Sequence, residues 1–380
     1  MTRPNRIFLG LLLLSSGLWT ACAPKKIEYP GYIYVLANST IYEISREAAA
    51  IFHTGIKGAA FSPDGEALLM TEEAGTSLVN LKTGQENKLT EKPIRGLGWN
   101  TTGSRFFIIS DPDPNQLSVG DRTGKMRAIF RGPRLTPPAA AGAAEAGAAA
   151  PNPIAGEISG GLFLDPITLI FSAYEGVIAP SIENLDVSAN RAYLVDVSAE
   201  EPDFQFKNYL SDERWTFVDV DKRTGAVLAV NGKKSTGEFL PYLSLSFRKW
   251  DDFAVQSPIP GSLLRSANGD YSFKFQPGSG MVGGIAAVPD KKAFRARFFL
   301  YDPDSSQSRP GPDLGWGDDI IGPFFFADGS FAAALLYTSA KQWSLKIIDL
   351  TSQTASTVWT LPAPEKGTPP PTDKILAWRR

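Results

Sequence analysis

The sequence predicts an all-β protein in which four-stranded sheets repeat along a single domain. Three observations predict this fold class. Short runs of β-branched and aromatic residues recur between turn residues. One motif, which ends in a tight turn, returns after 38 residues, from Gly58 to Gly96. No long stretch beyond residue 22 has the apolar period of about 3.6 residues that marks an amphipathic helix.

The strands are clearest in five apolar runs. They are Tyr32–Leu36, Phe106–Ile109, Leu169–Phe171, Ala192–Val195 and Phe298–Tyr301. Branched and aromatic side chains suit the pleated, half-buried surface of a sheet, so each run predicts a strand.

Two consecutive units share one plan. In the first, the small-residue segment Gly58–Gly65 leads into the apolar run Ala67–Met70 and then into a third strand with a Thr-Gly turn. In the second, Gly96–Gly103 leads into Phe106–Ile109 and a similar ending. The small residues fit a crowded ring interior, and the glycine of each turn supplies a positive φ. The spacing is close to the about 40–45 residues of a propeller blade.

These residues resemble the WD-like repeats of the TolB-type β-propeller family, whose hallmark is a strand ending in Phe-Ser-Pro-Asp-Gly. The match is sharp at Phe61–Gly65, looser at Trp99–Gly103 and good at Phe324–Gly329. More divergent copies are expected at Leu162–Pro166, Phe217–Asp221 and Ala286–Asp290. The resemblance implies a β-propeller over most of the chain and transfers no functional residue.

The two ends of the chain predict how the ring closes. Tyr32–Leu36, Thr40–Ile44 and Ala50–Phe52 are expected to form the last three strands of a blade without a first strand. Lys374–Arg379 is expected to supply that strand, which removes the open sheet edges. Inner-strand candidates near residues 59, 97, 161, 216, 285, 322 and 375 then predict about seven blades, with six or eight as alternatives.

Residues 1–21 are predicted to be a lipoprotein signal peptide. Arginines precede the apolar run Ile7–Leu14, which is shorter than the about 20 residues of a membrane-spanning helix. The segment that ends in Ala21-Cys22 resembles the lipobox of bacterial lipoproteins, although Trp19 stands where Leu is usual. The resemblance implies cleavage before Cys22 and a diacylglycerol on its thiol. An uncleaved anchor, or an ordinary signal peptide followed by a free buried cysteine, are the alternatives.

The remaining chain is divided accordingly. Residues 22–30 are predicted to be the lipidated tether and residues 31–380 the β-propeller, with Pro137–Pro153 as an Ala/Gly/Pro-rich surface insertion. Ala23 follows the lipidated cysteine, where an aspartate retains lipoproteins in the inner membrane of enteric bacteria. We therefore expect a lipid-anchored protein of the bacterial cell envelope, at the outer membrane.

Composition restricts the chemistry. The net charge is −2 and no basic stripe is present, so nucleic acid is not an expected partner. The single cysteine and the single histidine, His53, exclude a disulfide framework and clusters of Cys or His metal ligands. No Gly-x-Ser-x-Gly elbow flanks a strand. The sequence therefore predicts no catalytic residue, cofactor or metal ion, and Cys22 as the one modified residue.

Four features are candidate sites. His53 is predicted to lie on the rim, and Asp111–Asn115 clusters oxygen ligands of the type that calcium prefers, without the spacing of a calcium loop. Gly315–Asp319 and Lys249–Asp252 each combine a tryptophan with two aspartates. Such residues line a rim that contacts a peptide or sugar, or else belong to loops with a packed tryptophan and solvated acids.

The leading functional hypothesis is a protein-interaction or ligand-binding module without catalysis, whose partners are other envelope proteins or peptidoglycan. The alternative is an envelope enzyme of the lyase or glycoside hydrolase type with paired carboxylates at the propeller channel. Two carboxylates about 5–10 Å apart at the channel mouth would favour the enzyme. A purely structural subunit of an envelope assembly is a third possibility.

Overall fold

The structure is a computed structural model. In the residues that it describes, β-strands are the only regular secondary structure. These residues are 27–92, 94–110, 116–131, 157–174, 191–202, 204–208, 213–233, 238–244, 255–258, 273–290, 293–361 and 374–379. No helix within these ranges has the length and apolarity to cross a bilayer.

The strands form seven antiparallel four-stranded sheets, named blades 1 to 7. Blade 1 combines β1 (Tyr32–Ala37), β2 (Thr40–Ile44) and β3 (Ala49–Thr54) with the C-terminal β28 (Lys374–Arg379). Blade 2 contains β4 (Gly58–Phe61), β5 (Ala67–Glu72), β6 (Gly75–Asn80) and β7 (Glu86–Thr90). Blade 3 contains β8 (Ile94–Trp99), β9 (Arg105–Ser110), β10 (Gln116–Asp121) and β11 (Met126–Arg131). Blade 4 contains β12 (Glu157–Phe163), β13 (Thr168–Tyr174), β14 (Arg191–Asp196) and β15 (Phe204–Asn208).

The other three blades follow the same order. Blade 5 contains β16 (Glu213–Val220), β17 (Val227–Lys233), β18 (Glu238–Ser244) and β19 (Val255–Pro258). Blade 6 contains β20 (Phe273–Phe275), β21 (Val282–Asp290), β22 (Ala293–Asp302) and β23 (Gln307–Gly317). Blade 7 contains β24 (Asp319–Phe325), β25 (Phe331–Tyr337), β26 (Trp343–Asp349) and β27 (Thr354–Thr360).

The blades form a closed ring. The inner strands are β28, β4, β8, β12, β16, β20 and β24, and each contacts the inner strands of both neighbouring blades. This series confirms the predicted all-β propeller and its seven four-stranded blades.

The ring closes where the sequence predicts. In blade 1, β1 pairs with β28 in antiparallel register, with Ile33 opposite Trp378 and Leu36 opposite Lys374. The Trp378 indole Nε1 donates a hydrogen bond of 2.8 Å to the Pro30 carbonyl. Upstream of Pro30, Ile27 and Tyr29 are also buried in the core between blades 7 and 1. The last part of the predicted tether therefore packs against the ring.

One predicted inner strand is wrong. The candidate near residue 285 belongs to β21, the second strand of blade 6, and the divergent repeat predicted at Ala286–Asp290 falls in the same strand. The inner strand is the three-residue β20. Small residues are expected in an inner strand, but Gly283 and Gly284 lie in the second strand. They are small because the rings of Phe325 and Phe299 occupy the space that larger side chains would need.

The core is divided among the seven seams between blades. Leu68 and Met70 pack toward blade 1 with Leu36, whereas Leu69 packs toward blade 3 with Phe106. Alternate residues of a strand point to opposite faces, and here both faces are buried. This explains why the middle strands read as continuous apolar runs in place of an alternating pattern.

The ring has two different faces. The turns between first and second strands, and between third and fourth strands, lie on one face, which we call the turn face. Adjacent blades contact each other there, because Asn100 Nδ2 donates to the Pro166 carbonyl and Gln276 Nε2 to the Gly329 carbonyl, both at 2.8 Å. The opposite face carries the connections between second and third strands and between blades, and we call it the loop face.

The long connections are concentrated on the loop face. There the strands are separated by residues 132–156, 175–190, 259–272 and 361–373, which are 25, 16, 14 and 13 residues long. On the turn face the longest separation is residues 245–254, with 10 residues. Counted in residues, most of the chain between strands therefore leaves and returns on one face of the ring.

Candidate functional site

Several predicted sites lie outside the described residues. These are Cys22 with the whole leader, Asp111–Asn115, the Pro137–Pro153 insertion and Lys249–Asp252. The lipidation site and the candidate calcium site therefore stay predictions.

His53 lies on β3, the outer strand of blade 1, as the rim prediction requires. Its Nδ1 is 3.0 Å from the Thr54 carbonyl oxygen, which is its neighbour in the chain. Three strands separate β3 from the ring interior, so His53 does not line the channel.

The Gly315–Asp319 segment combines an exposed tryptophan, as the rim interpretation expects, with a buried aspartate, which neither interpretation expects. Gly315–Gly317 ends β23, and Asp319 begins β24 instead of lying in a solvated loop. Trp316 is 48% exposed, whereas Asp319 is 3% exposed. The Arg295 guanidinium lies 5.8 Å from the centre of the Trp316 ring and also pairs with Asp313. A single exposed tryptophan with a cation on its ring results, at the outer side of blade 6.

Asp219 is the most unusual polar residue of the ring interior. It lies on the inner strand β16, next to an irregularity in the pairing with β17. Its Oδ2 accepts a 2.9 Å hydrogen bond from the backbone N–H of Phe275, on the inner strand of blade 6. The carboxylate therefore bridges two inner strands at the edge that borders the channel.

The surroundings of Asp219 favour its neutral form. Burial raises the pKa of this carboxyl above its usual value, while Lys274 and the N–H groups of Phe275 and Val220 act in the opposite direction. The Lys274 ammonium is also 4.9 Å from the centre of the Phe324 ring. This part of the channel wall thus combines a carboxyl group, an ammonium and an aromatic face.

The cluster can hold a polar group through hydrogen bonds. A carboxyl oxygen accepts hydrogen bonds, and an ammonium donates them. Glycoside hydrolysis requires a second carboxylate across from the first. The carboxylate nearest to Asp219 in the sequence belongs to Asp221. It accepts hydrogen bonds from the Arg223 N–H and the Thr224 hydroxyl within its own turn. Among the described residues, no three His, Cys, Asp or Glu side chains converge in a metal-binding geometry.

A small cleft opens beside Asp221, at the seam between blades 5 and 6 on the turn face. Its volume is about 100 Å³, and Arg223, Gly280 and Asp304 contribute to its wall. Typical ligand pockets measure about 300–1,000 Å³. The cleft therefore has room for a few water molecules.

Asp219 is not among the site residues that the sequence predicts. A signal was present, because Asp219 lies in an inner strand whose counterparts in blades 2 and 3 end in Ala60-Phe61 and Gly98-Trp99, and a second aspartate, Asp221, follows that strand. The arginines that join neighbouring blades are also not predicted by the sequence. Arg122 contacts Asp64 and the Gly103 carbonyl, the latter at 2.6 Å.

The comparisons with known proteins identify the fold alone. No known protein family matches the chain, and no curated protein matches it. The chain is 14% identical to the β-propeller domain of the Trilobed protease from Pyrococcus furiosus, with a TM-score of 0.54 over 87% of this chain and 93% of that one. It is 12% identical to a putative 6-phosphogluconolactonase from Bacteroides uniformis, with a TM-score of 0.50 over 88% and 97% of the two chains. TolB from Acinetobacter baumannii matches with 11% identity and a TM-score of 0.43, over 91% and 65%.

At these identities the shared property is the β-propeller. Its ring occurs in a domain of a protease and in a putative lactonase, so the fold does not choose between catalysis and binding. The function must be argued from the surfaces of this chain.

Proposed function

We propose that the protein is a lipid-anchored β-propeller of a bacterial cell envelope, which binds a partner through its loop face without catalysing a reaction. The proposed partner is another envelope protein or peptidoglycan, and the proposed location is the outer membrane. The leader that ends at Cys22 supports the anchor.

The observation that carries the binding role is the asymmetry of the ring. Connections of 25, 16, 14 and 13 residues all leave and return on the loop face. A turn that only joins two strands needs just a few residues. Longer connections on a rigid scaffold are the segments that most often carry binding residues. A ring that needed its loops only to join strands would not require this length on one side.

A steric block on each face tests the proposal. Ser339 and Ser352 are both exposed and lie at opposite ends of β26, on the loop face and the turn face respectively. Ser339→Cys and Ser352→Cys variants are coupled to a polyethylene glycol maleimide of several kilodaltons. Each is then used to recover proteins from solubilised envelopes and to sediment with purified peptidoglycan.

We expect the polymer at residue 339 to lower recovery of the partner about tenfold or more, which corresponds to about 1.4 kcal/mol of binding free energy. The polymer at residue 352 should leave recovery unchanged. Loss of recovery only with the residue 352 conjugate would contradict binding through the loop face. Intact-mass measurement of the membrane fraction, with Cys22→Ala as control, tests the anchor, since wild-type protein without acyl groups would rule it out.

Asp219 supports a second candidate function. The pKa of the Asp219 carboxyl group is raised, and the group lies beside the channel. General acids in enzymes commonly have such a raised pKa. Cleavage of a cell-wall polysaccharide by the wild type but not by Asp219→Asn would establish an enzyme of the lyase or glycoside hydrolase type.

A further inference from the structure

The first described residues, Ile27–Tyr29, pack against blades 7 and 1. Ile27 and Tyr29 are only 7% and 5% exposed, in the core between blades 7 and 1. Between them, Glu28 pairs at 3.5 Å with Arg46, in the turn that joins β2 to β3. That turn belongs to the turn face. The segment that precedes Ile27 therefore emerges at the turn-face side of blade 1.

The short chain between Cys22 and Ile27 limits which face of the ring a lipid anchor on Cys22 can bring to the bilayer. Four residues lie between Cys22 and Ile27, and the five Cα-to-Cα steps that join the two residues span at most about 18 Å when fully extended. The two faces are about 23 Å apart, because a strand as long as β26 rises about 3.3 Å for each of its residues. An anchor on Cys22 thus reaches the turn face but does not bring the loop face to the bilayer.

Blade 1 also exposes apolar side chains, on its outer strand and at the start of β1. Ile51 and Phe52 on the outer strand are 65% and 38% exposed, and Tyr32 at the start of β1 is 45% exposed. Ala49 and Ala50 extend the exposed apolar run of β3 toward the Arg46 turn. Of the five large apolar side chains exposed in the described residues, three belong to this blade.

We infer that the protein docks on the bilayer surface through the turn-face side of blade 1, with the Ala49–Phe52 edge in the headgroup region and the loop face directed away. This inference rests on the proposed lipid anchor at Cys22. Apolar and aromatic side chains are favourable at the boundary between headgroups and acyl chains, and they reinforce a lipid anchor. The partner of this surface is the lipid headgroup layer.

Single-cysteine probes test the orientation. The thiol of a lipidated Cys22 is blocked, so an introduced cysteine is the one free thiol of the chain. Ile51→Cys, Ser352→Cys and Ser339→Cys are labelled with the same fluorophore in the lipidated protein. Each is reconstituted into vesicles of phosphatidylethanolamine and phosphatidylglycerol that contain a headgroup nitroxide quencher, and vesicles without nitroxide serve as control.

We expect fluorescence at residue 51 to fall about twofold or more, because interfacial side chains lie about 5–10 Å into the headgroup boundary. Residue 352 should be quenched more than residue 339, its matched control at the other end of β26. Equal quenching at 352 and 339, or an unquenched residue 51, would overturn the orientation. The intact mass of the same samples separates the two proposals, because a lipidated protein that gives this result overturns the orientation and leaves the anchor standing.

Discussion

At the scale of single residues, Asp219 shows how the ring interior alters ordinary chemistry. The side chain of Asp219 is partly accessible to solvent. The protein atoms packed around its carboxyl group nevertheless raise the pKa of that group. Its hydrogen bond from Phe275 satisfies an inner-edge N–H that no further strand pairs. Asp219 therefore joins blades 5 and 6 through a carboxyl group whose charged form is disfavoured by burial.

We predict that Asp219→Asn changes the pH dependence of stability. The native pKa of Asp219 lies above its unfolded value of about 3.9, so the wild type loses stability as pH rises through this window. Asparagine keeps an acceptor for Phe275 and has no charge. The free energy of unfolding of the variant relative to wild type should increase from pH 4 to pH 7, by about 1.4 kcal/mol for each unit of raised pKa. Urea denaturation at several pH values measures this, and a constant difference would contradict it.

At the scale of elements, the turns between third and fourth strands share one device. Asp121, Asp196 and Asp349 each accept a hydrogen bond from the backbone N–H two residues later, at 2.8, 2.7 and 2.9 Å. Asn80 does the same in blade 2, with Lys82 at 2.9 Å. Aspartate and asparagine make such turns because their short side chains reach the nearby backbone.

We predict that Asp121→Asn keeps its turn but loses stability only at neutral pH. The Thr123 hydroxyl bond, above all, holds the pKa of Asp121 below its usual value. The stabilisation from the charge is thus present above about pH 3.9 and is lost as pH falls through the lowered native pKa. The variant should be less stable than wild type by up to about 1 kcal/mol at pH 7, and the difference should shrink as the pH falls below about 3.9. A difference that persists in acid would mean that asparagine distorts the turn.

At the scale of the whole molecule, stability depends on how the two chain ends meet. Trp378 contacts Tyr29 at 5.9 Å and Phe326 at 5.2 Å between ring centres, in addition to its bond to Pro30. One side chain thus connects the N-terminal segment, the C-terminal strand and blade 7. Removal of this contact affects the seam that closes the ring.

We predict that Trp378→Ala lowers the free energy of unfolding by about 3–5 kcal/mol, the usual cost of a large buried aromatic residue. Trp316→Ala is the control, since this tryptophan is 48% exposed on an outer strand, and its loss should cost about 1 kcal/mol or less. Chemical denaturation of both variants measures the difference. Equal losses would show that the closing seam contributes no more than the rim.

The sequence by itself determined the all-β class, a propeller of about seven blades and its closure by Lys374–Arg379. These properties follow from local patterns, because a strand buried on both faces must read as an apolar run and a tight turn needs glycine at a positive φ. Gly65 and Gly103 have φ of 70° and 69°, as their turns require.

Only the tertiary structure decided which strand of blade 6 is innermost, where Asp219 lies and which face carries the long connections. Short β20 has no local signal that distinguishes it from a loop, and the glycines of β21 are small because rings from other strands fill the space beside them. The pKa of Asp219 likewise depends on neighbours that are 55 residues or more away along the chain, at Lys274 and Phe275. Such properties arise from packing between distant segments, which a local pattern of residues does not encode.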